Sequence, residues 1–214
     1  MRDIHSGFYR DTQNSYADPA AVPLYVQRIP DSRSAGLMSP MESFLSLVPR
    51  AGTLLDVGSG PGTDVAMLRA LGYKASGIDT SPAMVEWARS RYGDHFRIGD
   101  VRTVDPEILG TFDGVLCIAV LLHILREDAL GALAGLRNLM RDGGALLLVT
   151  KQGRRMQWDH QLGNSRPRGV VLYSSRELNG ILTKSGFRVR ATFRSQSIRS
   201  GATEKWLSLV ATAA

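Results

Sequence analysis

The chain has 214 residues, 43% hydrophobic and 21% charged, the balance of an ordinary globular protein with room for one well-buried domain and little for a second. Its one cysteine, Cys117, excludes an internal disulfide and fits a reducing cytoplasm. The most apolar window, Val115 to Leu125, is interrupted by His123 and falls far short of the ~20 residues of a membrane helix. With no apolar stretch behind basic residues at the N-terminus, a cytoplasmic protein without a membrane partner is expected.

Residues 1–40 hold prolines at 19, 23, 30 and 40 and no steady periodicity, and are read as a helical lid extension before a domain spanning 41–214. Met41, Phe44, Leu45 and Val48 recur at helical spacing. Thr53 to Val57 reads as a strand, and Val65, Met67, Leu68 and Leu71 form a helix that stops at Gly72. Lys74 to Asp79 is a second strand, followed by a helix with Ser81 as cap and Pro82 at its first position. His95 to Ile98 is a third strand. Val115 to Val120 and Ala145 to Val149 are unbroken apolar runs, as expected of parallel strands buried on both faces. Between them Glu127 to Met140 is helical and Asp142-Gly143-Gly144 is a turn. About two dozen residues after Lys151 read as a loop rich in Gly, Arg and Gln. Ser174 or Ser175 then caps a helix with Glu177 in a capping box, ending at Gly186. Phe187, Val189, Ala191 and Phe193 alternate with Arg188, Arg190, Thr192 and Arg194 in a half-buried strand, and Thr203 to Val210 is the last strand. Alternating strands and helices predict right-handed βαβ units and an α/β, doubly wound, mostly parallel sheet.

The most informative stretch is Asp56-Val57-Gly58-Ser59-Gly60-Pro61-Gly62-Thr63-Asp64. A strand ends, three glycines alternate with small residues, and a helix begins, so backbone is placed close to a ligand. The position that would complete a dinucleotide fingerprint is Thr63, and two carboxylates bracket a helix N-terminus that would otherwise attract anions. That combination disfavours a nicotinamide oxidoreductase and suits a cationic ligand such as a sulfonium.

Asp56 to Gly62 resembles the first motif of class I S-adenosylmethionine-dependent methyltransferases. Gly77-Ile78-Asp79-Thr80-Ser81-Pro82-Ala83-Met84 resembles the end of their second strand, Gly99-Asp100-Val101 the acid at the adenine, and Phe112-Asp113-Gly114-Val115 through His123 their fourth strand and following loop. The four matches cover roughly residues 50–150. The resemblance implies a seven-stranded sheet with an antiparallel C-terminal strand and S-adenosylmethionine as cofactor. It implies that Asp56, Gly58, Ser59, Gly60 and Gly62 form the donor loop, and that Asp79 with Thr80 meets the ribose. Met84, Asp100 and Val101 would meet the adenine, with Ala119 near the reactive carbon. Tyr9 and Tyr16 resemble the paired tyrosines on a helical lid in small-molecule members.

Methyl transfer from a sulfonium is an in-line displacement whose leaving thioether needs no acid, so positioning dominates. His123 is the candidate base for a hydroxyl or amine acceptor, with a packed ring as the alternative. Arg33, Arg154, Arg155, Arg166 and Arg168 are candidates to meet carboxylates or phosphates. No cluster at metal-ligand spacing is read. Residues 51–150 carry nine basic and twelve acidic side chains, whereas residues 151–214 carry twelve basic and three acidic. The basic third points to a solvated face or an anionic partner. The expected partner is a small-molecule methyl acceptor, with an anionic one in view; an RNA or protein methyltransferase and a non-catalytic binding protein are the alternatives. There is no Asp/Asn-Pro-Pro-Tyr/Phe motif for base amines, and Cys117 has no second cysteine beside it for a covalent cytosine mechanism. The sequence leaves the oligomeric state open.

Overall fold

The computed structural model describes residues 4–159, 167–199 and 202–214. Seven strands form one sheet in the order β3 (Phe96–Ile98), β2 (Lys74–Asp79), β1 (Thr53–Val57), β4 (Phe112–Ile118), β5 (Met140–Lys151), β9 (Ala202–Ala213), β8 (Phe187–Arg199). The first five are parallel, and β9 runs antiparallel between β5 and β8. This is the α/β, doubly wound architecture expected, with its antiparallel strand near the C-terminal edge.

The apolar runs explain why the sheet is covered twice. Along β4, Val115 and Cys117 face one cluster and Leu116 and Ile118 the other; β5 splits Leu146 and Leu148 from Leu147 and Val149 in the same way. The first cluster takes Phe8 of α1 (Ile4–Tyr16), Leu133 of α6 (Arg126–Asn138) and Leu182 of α7 (Ser175–Lys184). The second takes Phe44 of α2 (Ala21–Leu45), Leu68 of α3 (Thr63–Ala70) and Val85 of α4 (Pro82–Tyr92). Ser81 caps α4 by accepting from Met84 N–H at 3.3 Å, and Ser174 with Glu177 makes the expected capping box on α7. A short helix α5 (Pro106–Leu109) precedes β4.

Residues 4–45 are two helices, and α2 runs for 25 residues through Pro23, Pro30 and Pro40 and past residue 40. Pro23 sits in the first turn, where its missing N–H has no helical partner; at Pro30 and Pro40 packing of α2 on β5, β8 and β9 overrides the local penalty. Three expectations are corrected. Asp142-Gly143-Gly144 lies within β5 as a bulge, because Met140 already pairs with Phe112 before Ala145 pairs with Gly114. The segment after Lys151 contains a hairpin, β6 (Met156–Asp159) against β7 (Arg168–Val171), which docks on α1. Finally, an extra residue at Arg190 shifts the β8–β9 register. Phe187 and Val189 therefore face the first cluster and Ala191 and Phe193 the second, because one inserted residue reverses the facing. No described helix is long and apolar enough to cross a membrane.

Candidate active site

Strand order reverses between β1 and β4, and ligands of open α/β sheets bind at the carboxyl ends of the strands beside that reversal. A cleft of about 790 Å³, counted out to its open mouth, lies there. Its floor is the turn after β1. Gly58 and Gly60 have φ of +70° and +52°, and a Cβ at Gly58 would come within 2.2 Å of Val120 Cγ2. Only glycine combines this backbone with an open cradle. Ala119 has φ of +57°, an arrangement costing ~1–2 kcal/mol for an L-residue, and Val120 follows it against Gly58.

Asp79 ends β2 on the rim of the cradle. Its Oδ2 accepts from Gly60 N–H and its Oδ1 from Ser81 N–H, both at 2.8 Å. Burial raises its pKa, and these backbone bonds oppose the rise. The carboxylate is thus aimed by the glycine turn and by the cap of α4. Asp100 accepts from the backbone N–H of Arg102 at 2.9 Å and takes the Arg102 guanidinium on both oxygens. Burial raises its pKa, but the arginine outweighs that and leaves it lowered. Arg102 in turn stands 3.8 Å over the Tyr9 ring, a cation–π contact.

The roof comes from α1 and α2. Tyr9 O–H donates to Asp128 Oδ2 at 2.5 Å and accepts from Leu125 N–H at 3.0 Å, so its hydroxyl anchors α1 while its ring faces the cleft. Tyr16 lies edge-on to both Tyr25, at 6.0 Å, and His123, at 5.5 Å. His123 Nδ1 faces Gly169 O at 2.7 Å and its Nε2 faces Tyr16 Oη at 2.9 Å. Because a carbonyl only accepts, Nδ1 carries the ring proton and Nε2 receives the Tyr16 hydroxyl. Burial, then the Arg168 cation, push His123 down to about 3, and burial pushes Tyr16 up to about 12. A ring so placed is a hydrogen-bond acceptor and a poor proton acceptor.

The cleft brings together Tyr9, Tyr16, Gly58, Gly60, Asp79, Thr80, Met84, Asp100, Val101, Ala119 and His123 of the residues named from sequence. Asp56, Ser59 and Gly62 do not line it. Asp56 is 3% exposed beneath the turn, Ser59 packs against Gly77, and Gly62 caps α3. Arg154 and Arg155 are exposed and Arg168 is buried. Arg166 and the side chain of Arg33 lie outside the described residues. Sequence reasoning missed Tyr25, which sits over Gly60, and Arg102. Tyr25 lay in a segment without steady periodicity, whereas Arg102, two residues after Asp100, was open to detection as an ion-pair partner. Among the described residues no group of three or more His, Cys, Asp or Glu is placed to hold a metal.

A seven-stranded sheet of this order, with a glycine cradle at the strand reversal and a carboxylate at the end of β2, is the class I methyltransferase fold. Residues 32–192 match the family model of the methyltransferase domain, and the chain belongs to that family. It is 31% identical over 109 residues to a ubiquinone biosynthesis O-methyltransferase of Xanthomonas axonopodis pv. citri, covering 49% of this chain and 45% of that protein. The chain thus spans about half the length of the curated relatives it matches. Among solved structures it resembles a S-adenosylmethionine-dependent methyltransferase of Methanosarcina mazei (TM-score 0.69, 15% identity, 78% of this chain and 95% of that one). It also resembles the 1,6-didemethyltoxoflavin-N1-methyltransferase of Burkholderia thailandensis, solved with its acceptor and S-adenosylhomocysteine (TM-score 0.65, 20% identity, 94% and 90%).

Proposed function

We infer that this protein transfers the methyl group of S-adenosylmethionine to a planar aromatic or heteroaromatic small molecule. The observation that carries the acceptor class is the wall of three rings, Tyr16, Tyr25 and His123, set edge to face over the glycine cradle. Such a wall favours a flat ring beside it. The names of the ubiquinone biosynthesis O-methyltransferase and of the 1,6-didemethyltoxoflavin-N1-methyltransferase are in keeping with this reading.

The residues fit the donor. Gly58 and Gly60 leave backbone open to its methionine portion, and Asp79, already oriented by two N–H bonds, takes the ribose hydroxyls. Met84, Val101 and Asp100 bound the adenine side, with Thr80 beside Asp79 and Ala119 at the reacting carbon. Tyr9 and Tyr16 close the roof, while Asp56, Ser59 and Gly62 build the turn from below. S-adenosylmethionine, when bound, supplies a sulfonium methyl that leaves its sulfur as a neutral thioether. The protein's own contribution is to orient both partners and exclude water, which can supply ~7–11 kcal/mol of the barrier. His123, neutral and filled at Nε2 by Tyr16, serves this reading as an orienting group for the acceptor wall rather than as the base expected from sequence. The nucleophile is therefore one that sheds its proton readily, such as an acidic phenol or a ring N–H.

The nucleic-acid alternative draws on exposed Arg188, Arg190 and Arg194. They lie on β8, the far edge of the sheet, with β9, β5 and β4 between them and β1, so they do not frame the cleft. Incubation with S-adenosylmethionine bearing a trideuterated methyl, a metabolite extract and, in parallel, total RNA tests the assignment. Label in an aromatic metabolite supports it. Label in RNA alone would replace it with the nucleic-acid reading.

A further inference from the structure

The cleft is joined to the β6–β7 hairpin by a buried chain of polar contacts that methyl transfer as described leaves unused. Arg168 of β7 is 5% exposed. Its Nη1 donates to Tyr16 Oη at 2.5 Å, while Nη2 and Nε donate to Asp159 of β6 at 2.8 and 3.2 Å. Asp159 stands 3.9 Å from Lys151 Nζ, which pairs with Glu204 of β9 at 2.6 Å. Tyr16 donates its own O–H to His123 Nε2, and His123 Nδ1–H donates to the carbonyl of Gly169, the residue after Arg168. The ring of contacts from Arg168 through Tyr16 and His123 back to Gly169 is therefore closed on β7.

A buried guanidinium is costly unless every face is engaged. Here its bonds go to a carboxylate on its own hairpin and to a phenol that lines the cleft. Lysine in its place has no planar fork with which to hold both. The geometry points to Arg168 as a positioning residue for the acceptor side of the site, with Asp159 as the counter-ion that holds it. Arg168 fixes the Tyr16 hydroxyl on His123 Nε2, and its charge adds to burial in keeping the imidazole neutral. The β6–β7 hairpin is thereby part of the active site. The groups that face His123 are Tyr16 from α1, Arg168 and Asp159 from the hairpin, and Lys151 from β5. The two cations disfavour an imidazolium and Asp159 favours one.

This rests on reading the cleft as the site of methyl transfer, but its test needs no acceptor, so either can fail alone. The full chain, labelled with ¹⁵N-histidine and saturated with S-adenosylhomocysteine, is titrated by NMR, with the His123 signal assigned through His123→Gln. In the wild type the ring should stay neutral and protonated at Nδ1 throughout the titration. In Arg168→Ala, which leaves the guanidinium cavity open, a midpoint should appear about one pH unit or more above the acid limit of the wild-type titration, and added guanidinium chloride at low concentration should suppress it. Should that variant not fold, Asp159→Asn/Arg168→Ala strands no carboxylate and carries the same test, since Arg168 acts on His123 more strongly than Asp159 does. A His123 titration unchanged by loss of Arg168, or changed but indifferent to guanidinium, would overturn the assignment.

Discussion

The Phe8 ring packs against the α-carbon of Gly169, so closely that a Cβ at residue 169 would come within 1.9 Å of Phe8 Cε2. Gly169 N–H also donates to Thr12 Oγ1 at 2.9 Å, and its carbonyl holds His123. One residue of the hairpin thus joins α1 and the turn that carries His123. Gly169→Ala should cost ~1–3 kcal/mol through overpacking, since Phe8 is 1% exposed and cannot swing into solvent. Thermal unfolding should fall by ~2–4 °C per kcal/mol. An unshifted Tm would mean that α1 does not rest on this contact.

Asp79 carries the second prediction. Removing an ionised acceptor of two hydroxyls costs ~1.5–3 kcal/mol, so Asp79→Ala should weaken S-adenosylmethionine binding ~10-fold or more in calorimetry. The sign of its pH dependence follows from burial, which raises its pKa. Affinity should be full above that raised value and decline as pH falls through it, while Asp79→Asn should show weak binding without that decline. Equal pH profiles for the two proteins would assign the ribose to another group.

The exposed arginines give a contrasting case. Arg154 and Arg155 contribute backbone carbonyls to Arg126 and to Leu172 N–H, and alanine keeps both. The double alanine variant should hold stability within ~0.5 kcal/mol and donor affinity nearly unchanged. If these side chains guide an anionic acceptor to the cleft, acceptor KM rises several-fold; unchanged KM would confine them to a solvated surface.

Local chemistry made part of this site legible in the sequence. The glycine turn after β1 and the Ser81 cap of α4 are each specified by residues within a few positions. The sheet was legible for the same reason, since β4 and β5 declare themselves as continuous apolar runs. What remained hidden depends on partners far along the chain. Tyr16 meets His123 across 107 positions, and Thr12 meets Gly169 across 157. The need for glycine at 169 is set by Phe8, and no local pattern announces it. Prolines in α2 concealed the length of a helix that tertiary packing sustains. The basic composition of the segment after Lys151 suggested a solvated loop, yet Arg168 and Asp159 are among its most buried residues.

The same long-range contacts link donor binding to the roof. Ser81 N–H holds Asp79, and Ser81 Oγ donates to the backbone carbonyl of Tyr16 at 2.8 Å. Tyr16 then leads through Arg168 to the hairpin. A ligand that fixes Asp79 should therefore steady α1 and β7 together, in the manner of a loop that gates a site. Hydrogen exchange with S-adenosylhomocysteine should slow amides in residues 12–16 and 168–171 in concert, because local opening of either breaks the shared contacts. In Ser81→Ala the product should still protect the turn after β1 but leave residues 168–171 exchanging as in the free protein. Protection of β7 that survives Ser81→Ala would mean the roof closes on the ligand directly, without the Ser81–Tyr16 link.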